Sequence, residues 1–202
     1  MVNIITVERE YGCGAGSIAA KLAERTGFKL WDHAISSEIA KRLRCDVRAV
    51  EQREERPDPT YYRLFKTFMR GSYEDRTGTH VDTLDAEGLA TLFETVITDI
   101  AKQGKCVIVG RAAPWFLRGR RDTYSVFLYA SYEEKLRRVL ESGRSQEEAE
   151  DLLNRVDRDR AAFVKQYHNM TWPTRALYHV MVNTCIGDDA VVDLVLPQAQ
   201  RL

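Results

Sequence analysis

The sequence predicts an α/β fold, a parallel sheet with helices on both faces, and three observations support it. Short apolar runs alternate with longer helical patterns, the order that produces crossover connections. Cys106-Val107-Ile108-Val109 is apolar without interruption, as strands covered on both faces are. The first apolar run passes through a glycine-rich turn directly into a helical pattern. A chain of 202 residues is at the upper end of one domain and can bury a large core.

Asn3 to Val7 is the first strand, and it leads through Glu8-Arg9-Glu10-Tyr11 into Gly12-Cys13-Gly14-Ala15-Gly16-Ser17. Ile18, Leu22 and Ala23 share one face of a helix over Ser17 to Arg25, which Thr26-Gly27 stops. Phe28 to Trp31 is a second strand, ending at Asp32. Ala34 to about Arg56 is helical and charged, until Pro57-Asp58-Pro59 breaks the pattern. Tyr61 to Met69 is amphipathic and aromatic, and Gly71 to Asp82 is polar and irregular, the segment expected to be most mobile. Leu84 to Lys102 is a helix with Leu89, Leu92, Phe93, Val96, Ile97 and Ile100 at helical spacing. Strands follow at Cys106 to Val109 and Tyr124 to Tyr129. A long charged helical region runs from Tyr132 through Lys165, broken near Ser142-Gly143. His179 to Val182 is the last strand and Asp188 to Leu196 the closing helix.

Thirty basic residues balance thirty acidic ones, which argues against a partner held by counterion release from nucleic acid. Cys13, Cys45, Cys106 and Cys185 include no C-x-x-C pair, so neither a zinc site nor a redox motif is expected. The four histidines, His33, His80, His168 and His179, lack metal-ligand spacing and are expected to be structural or exposed. The amino-terminal run meets Glu8 and Arg9 too early for a signal peptide, and no apolar stretch approaches the ~18 residues of a membrane span. A cytoplasmic protein without membrane or nucleic-acid partners is expected.

In parallel sheets ligands bind beyond the carboxyl ends of the strands. Those ends carry Arg9, Asp32, Arg111, Ser131 and Asn183, polar groups that apolar strands do not themselves require. Gly12, Gly14 and Gly16 free backbone N–H groups to form an anion nest, and the following helix adds its positive end. The same residues also suit a ligand-free turn. The full phosphate-loop pattern G-x-x-x-x-G-K-[ST] is absent, because no lysine follows the glycines whichever register is used. Arg9 is the first substitute for that charge, and Lys21 is expected to face solvent.

The opening Ile5-Thr6-Val7-Glu8-Arg9-Glu10-Tyr11-Gly12-Cys13-Gly14-Ala15-Gly16-Ser17 resembles that of the cytidylate kinase-like family. So do Leu30-Trp31-Asp32-His33, Val107 to Ala113 with its V-G-R step, Val156 to Phe163 with its D-R-D-R step, and Tyr178 to Thr184. The resemblance implies a single P-loop kinase-like domain with a sheet core at about 1–33, 103–141 and 175–202. It also implies a helical monophosphate-binding insert at about 34–102 and an arginine-bearing lid at about 142–174. The activity implied is ATP- and Mg²⁺-dependent phosphoryl transfer to a nucleoside monophosphate, CMP by name, or to a related small acceptor.

On that reading Gly12, Cys13, Gly14, Ala15, Gly16 and Ser17 hold the ATP phosphates, with the Ser17 hydroxyl also available to Mg²⁺. Asp32 and Arg111 hold the acceptor, and Arg9, Arg158 and Arg160 stabilise the transferring charge. Asp32 suits a helix cap equally well, and the arginine-rich run suits a solvated helix face. Tyr61, Tyr62, Phe65 and Phe68 pack the insert or meet a base or a second subunit. Two other readings stay open: a nucleotide-binding regulatory module without useful turnover, and an anion-binding structural protein that forms homo-oligomers.

Overall fold

The computed structural model describes residues 1–32, 34, 35, 38 and 86–201. Most of the expected insert, including the aromatic stretch Tyr61 to Met69 and the polar stretch Gly71 to Asp82, lies outside the described residues, as do His33, Cys45 and His80.

Five parallel strands form one sheet in the order β2-β3-β1-β4-β5. They are β1 (Ile4–Arg9), β2 (Lys29–Trp31), β3 (Cys106–Val109), β4 (Thr123–Tyr129) and β5 (Val180–Asn183). β1 is central, and all six of its residues are buried, the polar Glu8 and Arg9 included. β1 runs two residues beyond the expected Val7 because its Glu8 and Arg9 continue pairing with Phe127 and Leu128 of β4. The chain leaves β1 toward β2 on one side and later leaves β4 toward β5 on the other. That reversal opens a crevice at the carboxyl ends of β1 and β4.

One face of the sheet is covered by α1 (Ala15–Thr26) and the closing helix α6 (Asp188–Arg201). Ile18, Leu22, Val191 and Val195 pack there on Ile5, Val7, Val107, Val126 and Leu128. The other face is covered by α2 (Ala86–Gln103) and the far half of α5 (Gln146–His168), through Phe93, Ile97, Phe163 and Val164. A short helix, α3 (Ala113–Phe116), follows β3, and α4 (Tyr132–Glu141) follows β4. Ser131 caps α4 by accepting from Glu134 N–H, and Ser145 with Glu148 forms a capping box that starts α5. The C-cap of α4 at Ser142 and this capping box define the break expected near Ser142-Gly143.

The segment expected to be a lid is mostly α5, a continuous helix of 23 residues and about 35 Å. Its first half packs with α4 around Tyr11 in a separate small core of Val139, Ala149, Leu152, Leu153 and Val156. Tyr11 belongs to the glycine-rich turn, so this core seats the helical hairpin directly on that turn.

Candidate functional site

The turn after β1 owes its shape to two glycines in the left-handed region, Gly12 at φ 77° and Gly14 at φ 82°. Gly14 is also the N-cap of α1 and contributes no side-chain cap, so the helix starts at Ala15 with its N–H groups toward the loop. Ala15 therefore stands where a phosphate-loop lysine would, and Gly16 where the Ser/Thr would. Ser17 lies one residue deeper in the first turn of α1, half-buried.

A cleft of about 500 Å³ lies over this turn, within the range typical of small-ligand sites. Residues 9–15 form its floor, and Arg138, Val139, Glu141, Ser142, Arg144 and Arg160 form its walls. Four arginines, Arg9, Arg138, Arg144 and Arg160, face two glutamates, Glu10 and Glu141, giving the lining an excess of positive charge. Glu10 is in addition paired with Lys135 at 2.9 Å.

Arg138 crosses the mouth of the loop. A Cβ on Gly14 would overlap its Nη1 and lie 2.7 Å from its Cζ. The guanidinium is held there by Glu134 at 2.6 Å and by Asp188 at 3.1 Å. Arg160 reaches the loop from α5, donating from Nη1 to the Arg9 carbonyl at 3.2 Å and to Asp157 Oδ1 at 2.9 Å. Asp157 in turn accepts from the Tyr11 N–H with both oxygens, at 2.9 and 3.1 Å.

Behind the loop, Arg9, Arg111 and Arg160 are all buried, with Glu8, Asp32 and Asp159. Arg9 pairs with Glu8 at 3.3 Å, and its guanidinium presses against Gly110, where a Cβ would come 2.8 Å from its Cζ. Arg111 follows at φ 60° and is 1% exposed. Burial, then the neighbouring Arg9, pulls the Arg111 guanidinium down to about 9, against the pull of Asp32. Burial and Arg9 lower that of Arg160 as well. Guanidiniums crowded in this way gain from an anion placed among them, since it offsets the burial and mutual repulsion that disfavour their charges. The arrangement suits a polyanion lying along the loop, with a second anionic group near Arg111.

Among the expected site residues, the structure brings Arg9, Gly12, Cys13, Gly14, Ala15 and Arg160 onto one cleft. Gly16 and Ser17 are outside its lining. Asp32 and Arg111 are buried behind Arg9, and the Asp32 carbonyl accepts from Ile35 N–H at 3.2 Å in the first turn of the next segment. Arg158 is exposed on the opposite side of α5 from the buried Asp159 and Arg160. Ser131 and Asn183, two of the polar strand ends, serve as caps: Asn183 accepts from Cys185 N–H at 3.0 Å. Lys21 pairs with Asp189 at the surface.

Arg138 and Arg144 were not singled out from sequence, and Asp157 entered only as part of the D-R-D-R step, with no role of its own. Their local signals, glutamate four residues before Arg138 and a dense charge run around Asp157, fit a solvated helix equally well. Cys13 is part of the loop, but burial pushes its thiol up to about 12, and Sγ donates to the Leu128 carbonyl at 3.6 Å, so it is inert. His179 accepts from Ser125 N–H through Nδ1 at 2.9 Å and stacks on Tyr124, a structural role. Among the described residues no group of three or more His, Cys, Asp or Glu is gathered for a metal. Nor is any described helix long and apolar enough to cross a membrane.

The family model for the cytidylate kinase-like family matches residues 4–185. The chain belongs to the cytidylate kinase-like family. None of the curated proteins matches it. Among solved structures, an uncharacterized protein from Eubacterium ventriosum is 21% identical with a TM-score of 0.70, over 100% of both chains. Shikimate kinase from Bacteroides thetaiotaomicron is 17% identical with a TM-score of 0.51, over 98% of this chain and 96% of that one. Shikimate kinase from Acinetobacter baumannii, solved with shikimate, is 16% identical with a TM-score of 0.50, over 98% and 95%. Identities this low establish the fold alone. Within it, this member of the cytidylate kinase-like family has a glycine turn without a following lysine, and arginines of α4 and α5 line the cleft over that turn.

Proposed function

We propose that the chain is an ATP-dependent phosphotransferase acting on a nucleoside monophosphate, CMP-like, or a related small phosphate acceptor. The observation that carries this is the cleft in which the open start of α1 and its glycine turn face Arg9, Arg138, Arg144 and Arg160. The triphosphate lies along residues 12–15, with backbone N–H groups on its oxygens. Gly16 and Ser17 extend that N–H array by their place in the first turn. Arg111 and Asp32 hold the acceptor behind Arg9.

Arg9 lines the donor cleft and also touches Gly110 beside Arg111, so its charge spans donor and acceptor. An acceptor oxygen bonds to the γ-phosphorus as the bond to the β,γ-bridging oxygen breaks, and ADP leaves with that electron pair. Arg9 and Arg160 stabilise the charge on the transferring oxygens. Arg158 takes part only if the ligand draws its exposed side chain inward. Ser17 would offer its hydroxyl to Mg²⁺, which when bound with ATP would neutralise charge on the phosphates. A cytoplasmic enzyme with small-molecule partners completes the reading.

One observation favours a second reading, a nucleotide-binding regulatory module with weak turnover. Helix α1 begins at Ala15, so no lysine stands beside the β- and γ-phosphates. Thermal unfolding with Mg²⁺ and a panel of nucleoside mono-, di- and triphosphates, followed by turnover assays, separates the two. A stabilising shift with a triphosphate and with one monophosphate, then product formation with that pair, is the expected result. A triphosphate shift without turnover supports the regulatory reading, and no shift with any nucleotide overturns both.

A further inference from the structure

Three residues of α5 face the start of the glycine turn, and two of them grip its backbone. Arg160 Nη1 donates to the Arg9 carbonyl at 3.2 Å, and Asp157 accepts from the Tyr11 N–H at 2.9 and 3.1 Å. The third, Val156, packs beside Tyr11 in the small core under the hairpin. Asp157 and Arg160 are joined to each other at 2.9 Å across one helical turn. The amide between the two gripped groups, Glu10 N–H, is fixed on the Leu128 carbonyl at 2.9 Å. Arg9 C=O, Glu10 N–H and Tyr11 N–H are therefore each held before the chain reaches Gly12.

This matters because the next residues include glycines, which have the widest choice of backbone conformations. Gly12 and Gly14 both sit at positive φ, where glycine has many other conformations available. A nest of N–H groups binds phosphate well only if its geometry is set beforehand. The lining of the cleft includes Tyr11 and Arg160 but not Asp157. Asp157 touches both of those cleft residues from behind, with its carboxylate turned to the loop backbone rather than to the ligand space. One oxygen, Oδ1, serves as acceptor for both the Tyr11 N–H and Arg160, so the position of a single atom fixes the loop and a cationic wall together.

We infer that Asp157 is the positioning residue of the phosphate site, holding the start of the glycine turn and the Arg160 guanidinium in the geometry that receives a polyphosphate. The inference rests on the phosphate-binding reading of the cleft and assigns the element that pre-forms it. The requirement is for an acceptor at the Oδ1 position. Asparagine supplies one and alanine does not.

The experiment is titration calorimetry of the full chain with the imido analogue of ATP plus Mg²⁺, on the wild type, Asp157→Asn and Asp157→Ala. The expected result is wild-type binding, retention within about threefold in Asp157→Asn, and a loss of about tenfold or more in Asp157→Ala. Amide exchange at Tyr11, followed by NMR, is the companion readout. It is expected to be slow in the ligand-free wild type and unchanged on adding the analogue, and it tests the proposal even where the alanine variant does not fold. Four results overturn the inference while leaving the nucleotide reading intact. They are wild-type affinity in Asp157→Ala, equal weakness of the asparagine and alanine variants, markedly tighter binding by Asp157→Asn, and a Tyr11 amide that is protected only once the analogue is bound. The third would make the carboxylate an electrostatic brake. Absence of wild-type binding overturns the functional reading itself, and this assignment with it.

Discussion

Arg138 lies so close over Gly14 that the loop has no room for a β-carbon there. The two residues are 124 positions apart in sequence, and the guanidinium is kept in place by Glu134 and Asp188. Gly14 is thus required twice, for its φ of 82° and for the space it leaves. Gly14→Ala is expected to destabilise the protein by roughly 1–3 kcal/mol, from the strained φ plus the displaced guanidinium. ATP-induced stabilisation should be lost in the same variant. Denaturant melts with and without nucleotide test both parts, and an unchanged response to ATP would show that Arg138 need not lie over the helix start.

Arg160 and Arg158, two residues apart on α5, are expected to behave oppositely. Arg160→Met leaves the partly buried Asp157 carboxylate without its ion-pair partner, a change expected to cost about 1–3 kcal/mol. Arg158 is exposed, so Arg158→Ala should stay within about 0.5 kcal/mol of the wild type. Chemical denaturation of the two variants measures the difference. Nucleotide titration should show Arg158→Ala binding ATP as the wild type does.

Arg111 is expected to separate acceptor from donor binding, because it is outside the loop cleft yet in the same buried cluster as Arg9. Arg111→Gln should abolish most of the thermal shift caused by a monophosphate while retaining the shift caused by a triphosphate. Loss of both shifts together would place Arg111 in the donor site instead.

His168 gives a pH dependence of known sign. Its ring sits among Trp115, Phe116 and Phe163, and burial, helped by Arg118, pulls its pKa down to about 4. The unfolded chain takes up that proton near 6.5 and the folded chain only near 4. Its contribution to stability is therefore complete above 6.5 and is lost as pH falls from 6.5 toward 4. His168→Phe should flatten that part of the stability-versus-pH curve, read as the difference between variant and wild type in urea melts. Parallel curves would show that the ring titrates normally in the folded protein.

Much of the fold was legible in the sequence. Strand positions followed from apolar runs such as Cys106 to Val109, and helix limits followed from local chemistry such as Gly27 and the break at Ser142-Gly143. These features are written within a few residues of where they act. The glycine turn and its place between strand and helix were legible for the same reason. So was the absence of a phosphate-loop lysine.

Which side chains surround the lysine-free turn was decided only by tertiary structure. Arg138 and Asp157 reach the loop from helices more than a hundred residues later, and neither the charge pattern around Arg138 nor the D-R-D-R step shows that these side chains meet the loop. Helical spacing separates Arg158 from Arg160 onto different sides of α5, and the packing of Phe163 and Val164 on the sheet face set which of the two turns inward. Strand order was equally silent in the sequence, although it alone puts β1 at the centre and opens the crevice beside it. Periodicity and turn chemistry report contacts between near neighbours, whereas a site built from β1, α1, α4 and α5 depends on distant segments meeting, and only the packed sheet specifies that.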